Sequence, residues 1–103
     1  MLIIRSVNGV PIRLTEERWQ HIVSRHPEMK GQKAKVLETI NAPDYIQRGD
    51  FGTKMAVKFY KGTPLTDKFL IVVYKETDRS DGFVVTAYFA TKPAKWREVL
   101  WKR

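Results

Sequence analysis

The sequence contains no cysteine, which removes disulfides, thiolate nucleophiles and cysteine-ligated zinc from consideration. Histidine is scarce: there are two, His21 and His26, both within Leu14 to Glu28. Placed five apart, they sit roughly 140° from one another around a helix, so they do not offer a single chelating face. With no HExxH pair and no acidic cluster, we expect neither metal nor cofactor. A GxSxG nucleophile elbow is missing, and so is a glycine-rich phosphate loop, since Gly49, Phe51 and Gly52 make an ordinary turn. No stretch approaches the ~20 apolar residues of a membrane span. The opening MLIIRSVNGVPIRL also lacks the apolar core of a secretory leader. The expectation is a soluble, unprocessed, cytoplasmic protein with no membrane partner.

What is abundant is positive charge. Lysine and arginine number 19 against 11 aspartate and glutamate, a formal charge of +8 over 103 residues. Such an excess points to a polyanionic partner, most simply nucleic acid. With 43% hydrophobic and 12% aromatic residues, the chain can bury a core, and its length suits one domain spanning residues 1–103.

Local patterning predicts an α+β fold. Leu2 to Ser6 and Val10 to Leu14 are β-prone runs around Asn8-Gly9, a hairpin signal. The stretch from Leu14 to Glu28 reads as a helix, with Thr15 as N-cap, Glu16 and Glu17 in the first turn, and Pro27 as terminator. Met29 to Ala42 reads as a second helix with Val36, Leu37 and Ile40 as its apolar stripe, weakened by Gly31 and closed by Pro43. Beyond Tyr45 the period becomes extended, with Ile46 in a short strand before the turn Arg48 to Gly52. Thr53 to Tyr60 alternates, Met55, Val57 and Phe59 on one side and Lys54, Ala56, Lys58 and Tyr60 on the other. A loop is expected over Lys61 to Asp67. Phe69 to Tyr74 reads as a central strand, Asp78 to Gly82 as a turn, and Phe83 to Phe89 as a strand with Phe83, Val85, Ala87 and Phe89 facing the core. The segment after Pro93 fits a short helix better than a further strand. The assembled expectation is an N-terminal hairpin and two helices packed on one face of a twisted antiparallel sheet, whose other face carries Lys54, Lys58, Thr86 and Tyr88.

The helix also groups its chemistry. Arg18, His21 and Arg25 fall on one polar strip, suited to a phosphate, while His26 shares the side of Trp19, Ile22 and Val23 and points towards the core. Histidine moves protons near neutral pH, and fixed cations or hydroxyls stabilise a phosphorane, which is what metal-independent RNA cleavage by 2′-hydroxyl transesterification requires. Each residue also has a plainer reading: His26 as a core or capping histidine, His21 as a solvated helix residue, Arg18 and Arg25 as partners of Glu17 or Glu28. Thr86 and Tyr88 are good strand formers in any case. Lys54, Lys58, Lys92, Lys95, Arg97, Lys102 and Arg103 serve solubility unless RNA lies against them.

The segments LTEERWQHIVSRHPEM, LETINAPDYIQRG and DGFVVTAYFATK resemble the small bacterial and phage domains of the barnase, EndoU, colicin nuclease and RelE-like superfamily. The similarity spans roughly residues 7 to 92, and its most specific pieces are Arg18 to Glu28 and Thr86 to Phe89. The resemblance implies a toxin-type or phage-associated endoribonuclease with His21, Arg25, His26, Thr86 and Tyr88 near the site. Arg18, Lys54, Lys58 and Lys92 would then hold substrate, and a separate acidic antitoxin or immunity protein could block it. The same basic surface would equally suit a nonenzymatic RNA-binding or partner-binding module, and the oligomeric state is not legible.

Overall fold

The structure, a computed structural model, describes residues 1–62 and 68–103. Strands β1 (Leu2–Arg5) and β2 (Pro11–Leu14) form the expected hairpin, turned by Gly9 at φ +79° and closed by hydrogen bonds between Ser6, Gly9 and Val10. Helix α1 (Glu16–Arg25) begins where the Thr15 hydroxyl accepts from the Arg18 N–H at 3.1 Å. It stops at His26, because Pro27 lacks the N–H a further turn would use. The chain then makes a 3-10 turn (Pro27–Met29) before α2 (Lys33–Asn41). The second helix is thus shorter than its apolar pattern suggests: Gly31 takes φ +78°, a left-handed conformation that interrupts any helix.

Five strands follow: β3 (Tyr45–Arg48), β4 (Lys54–Tyr60), β5 (Lys68–Asp78), β6 (Asp81–Ala90) and β7 (Val99–Lys102). The end of the chain is therefore a strand, not the short helix favoured from sequence. Much of the expected loop from Lys61 to Asp67 lies outside the described residues. All seven strands join one sheet in the order β1-β2-β6-β5-β4-β3-β7. Every pairing is antiparallel except β2 with β6, which run parallel. The hairpin is thereby part of the main sheet.

Both helices pack on one sheet face. Trp19, Ile22, Val36 and Ile40 meet Ile12, Leu14, Ala56, Leu70, Val72, Tyr74, Val84 and Ala87 there, all buried. On the opposite face Met55, Val57 and Ile71 are buried beneath Tyr45, Phe69, Val73 and Tyr88. Two sequence expectations are corrected by this arrangement. Lys54 and Lys58 alternate with Met55 and Val57, so they stand on the helix side with Ala56 and not beside Thr86 and Tyr88. In β6, Tyr74 pairs with Val84 but Val73 pairs with Thr86, a bulge that skips Val85. One extra residue shifts the alternation, so Val84 joins Ala87 and Phe89 on the core face in place of Phe83 and Val85.

Two contacts tie the hairpin to the sheet. Gly82 lies beside Ile12, and a Cβ there would come within 2.5 Å of the Lys75 carbonyl oxygen and 2.6 Å of Ile12 Cδ1. Glu76, its side chain 8% exposed, accepts from Lys54 Nζ at 2.6 Å, from Asn8 Nδ2 at 3.1 Å and from the Ser6 hydroxyl. Burial alone would raise its pKa, but these donors outweigh burial and hold it below the usual carboxylate value.

Gly82→Ala should cost about 1–3 kcal/mol in urea unfolding, because backbone and not a flexible side chain must give way. Glu76→Ala should cost about 2–3 kcal/mol at pH 7, since Lys54 and the turn donors lose their acceptor. A carboxylate with a depressed folded pKa stabilises above its unfolded value, and that contribution disappears as pH falls through the folded value. Wild type should therefore lose stability below about pH 4.5 more steeply than Glu76→Gln, measured by urea midpoints across pH 2.5 to 7.

Candidate active site

The β2–β6 ladder holds only Ile12 beside Gly82 and Arg13 beside Phe83. Past that point the edge of β6 is met by α1 and the 3-10 turn. Arg18 donates from Nη1 to the carbonyl oxygen of the bulged Val85 at 3.4 Å, and the His26 ring stacks on Tyr88 with centroids 5.6 Å apart and planes tilted by 31°. Eight residues of helix advance about 12 Å and three of strand about 10 Å, so α1 runs alongside β6 in the same direction. The side chains at 18, 22 and 26 form the helix stripe that meets the strand.

This geometry separates the histidines. His26 closes α1, leaves 35% of its side chain exposed, and has Nδ1 3.9 Å from Glu28 Oε2. His21 is exposed one turn earlier and borders a shallow hollow of about 300 Å³ with Thr15, Glu17 and Arg18. Arg25 is exposed on the same outer strip and makes no side-chain bond to a described residue. The polar strip of Arg18, His21 and Arg25 therefore divides, with Arg18 turned to the sheet and the other two towards solvent.

Tyr88 and Thr86 face away from the helices, and neither hydroxyl bonds to another described residue. Burial raises the Tyr88 pKa, while the nearby Arg97 cation pulls the other way. That arginine comes from the segment 91–98, which must travel from β6 to β7 across β5, β4 and β3. The crossing is pinned where Gln47 Nε2 donates to the Ala94 carbonyl at 2.6 Å and Arg48 N–H to the Glu98 carbonyl at 2.8 Å. Arg97 itself donates to Asp50 at 3.1 and 3.3 Å and to the Arg48 carbonyl at 3.2 Å, with its guanidinium 4.4 Å from the Trp96 ring centre. Lys75 reaches the same turn: a Cβ on Gly52 would stand 3.9 Å from its Nζ.

Arg97 and Lys75 are thus cations near this turn that the sequence pattern did not mark as site residues. Lys54 is committed to Glu76, and Lys58 donates to the Ala42 carbonyl at 2.7 Å. The basic face expected from strand alternation does not form, because Lys54 and Lys58 stand on the helix side of the sheet and Thr86 and Tyr88 on the other. Lys92 is exposed on that crossing, where Tyr45, Gln47, Phe69, Lys92, Lys95 and Val99 border a hollow of about 430 Å³.

His26 and Tyr88 are in ring contact and Thr86 shares the sheet face of Tyr88, which gathers an imidazole and two hydroxyls that make no bond to another described residue. No protein-family model, curated protein or solved structure matches this chain. Replacing Arg97 by Gln should move the Tyr88 pKa further up, since the cation that favours phenolate is removed. Titration of Tyr88 by its ¹³Cζ chemical shift reads the change directly.

Proposed function

We propose that this protein is a metal-independent endoribonuclease in which His26 transfers the proton. The observation that carries the reading is the partly exposed His26 ring resting on Tyr88, whose sheet face Thr86 shares. In the reaction, the substrate's 2′-oxygen gives its proton to the imidazole and bonds to the adjacent phosphorus. The bond from phosphorus to the 5′-oxygen breaks, and that oxygen takes a proton from an acid such as the Tyr88 hydroxyl or the imidazolium. The products are a 2′,3′-cyclic phosphate and a free 5′-hydroxyl.

Thr86 offers its hydroxyl to a non-bridging oxygen of the phosphorane. Tyr88, with its pKa raised by burial, stays protonated and able to donate. The resemblance of Arg18 to Glu28 and of Thr86 to Phe89 to the barnase, EndoU, colicin nuclease and RelE-like superfamily supports the same activity. On that reading the protein is a toxin-type or phage-associated cytoplasmic RNase, and an acidic antitoxin or immunity protein is the partner suited to cover the site. A nonenzymatic module acting through a face of Lys54, Lys58, Thr86 and Tyr88 is not favoured, because the two lysines stand on the opposite side of the sheet from the two hydroxyls.

The test is cleavage of single-stranded and structured RNA in EDTA. His26→Ala should lower the rate about 100-fold or more while RNA affinity is kept, and His21→Ala should leave it largely intact. Loss of activity on changing His21 alone would move the chemistry to the other histidine. Intact RNA across pH 5 to 9 would remove the nuclease reading.

A further inference from the structure

The turn joining β3 to β4 contains the one non-glycine residue with positive φ among the described residues: Phe51, at φ 55° and ψ 40°. For a bulky side chain this left-handed conformation is costly. It is usually tolerated when the ring gains burial, but the Phe51 ring is 95% exposed. The strain is instead held by bonds around the ring. Thr53 donates to the Asp50 carbonyl from its hydroxyl at 2.7 Å and from its N–H at 3.1 Å. Gly49 N–H donates to the Thr53 carbonyl at 2.9 Å, and Arg97 clamps the Asp50 carboxylate. A strained turn that spends five hydrogen bonds to present an aromatic ring to water marks a functional position.

The surroundings identify the ligand. Lys75 reaches the turn with an ammonium that makes no bond to a described residue, the cation available to a phosphate backbone, while Arg97 pairs with Asp50 and holds the turn. Trp96, next to Arg97, is 77% exposed and already carries the guanidinium on its ring. Exposed aromatic rings interleaved with cations are the means by which proteins hold unpaired bases. Lys75 and Ile71, the β5 residue that pairs with Tyr88, lie on the same face about 13 Å apart. That is a span of a few nucleotides between the turn and the proposed catalytic residues.

We propose that Phe51 is a base-stacking platform that makes the site selective for single-stranded RNA; this rests on the ribonuclease reading. The ring stacks on one unpaired base, and Lys75 holds a phosphate on the path that leads from it to His26 and Tyr88. Duplex RNA, whose bases are stacked on each other, gains nothing from the ring.

The experiment measures binding of an uncleavable 2′-O-methyl single strand carrying 2-aminopurine, beside the same strand in a duplex. Phe51→Gly should weaken single-strand binding roughly five- to hundredfold and abolish the fluorescence change. Its melting temperature should stay within a few degrees of wild type, because glycine adopts positive φ freely. Phe51→Trp should retain binding, and duplex affinity should be the same in all three proteins. Equal single-strand affinity in Phe51→Gly, equal losses on duplex, or no single-strand binding by wild type would overturn the proposal. Phe51-dependent binding without any cleavage in EDTA would remove the nuclease while sustaining the platform. Cleavage with Phe51-independent binding would do the reverse.

Discussion

The short parallel contact between β2 and β6 is the constraint on which the arrangement of this molecule depends. A parallel pair cannot be closed by a tight turn, and here its two strands are separated by both helices and three further strands. Close approach at Gly82 permits the pairing, and it ends after Arg13 and Phe83. With β2 stopping there, the Thr15 cap turns the chain into a helix that lies beside the remaining length of β6. The bulge at Val85 aims a carbonyl at Arg18. From that anchor, helix rise and strand rise bring His26 level with Tyr88. A longer β2 would leave α1 no place at this edge.

The second organising feature is the return from β6 to β7. Because β7 pairs with β3 at the far edge, the segment 91–98 has to cross the sheet on the face the helices leave uncovered. It is tied to β3 through Gln47 and Arg48 and brings Arg97 to Asp50 and towards Tyr88. The crossing therefore decides where this cation sits. The excess of positive charge is correspondingly uneven in its use: Lys54 satisfies Glu76 under the hairpin turn and Arg13 pairs with Asp81 at 2.8 Å, whereas Arg25 and Lys92 stay in solvent.

Elements governed by local physics were legible in the amino-acid order. The Asn8-Gly9 turn, the Thr15 cap, the stop at Pro27 and the alternation of β4 each depend on residues within a few positions of one another. The break before α2 was visible as Gly31, though a single glycine does not say whether a helix bends or starts later. The bulge in β6 was not visible, since Phe83, Val84 and Val85 suit a strand in either register, and pairing with β5 alone decides which of them is skipped. That one residue sent Val84 into the core. For the same reason strand alternation placed Lys54 and Lys58 correctly relative to Met55 and Val57 but could not say which sheet face received the helices.

What the sequence determined by itself is the α+β class, the hairpin, the helix that carries both histidines, and a surplus of cations without thiol chemistry. These follow from periodicity, capping and composition, which act over one or two turns of chain. The tertiary structure decided which histidine meets the sheet, which cations remain near Tyr88, and that Phe51 stands in water on a strained turn. Those outcomes depend on strand order and register, set by contacts between residues up to seventy positions apart, such as Ser6 and Glu76.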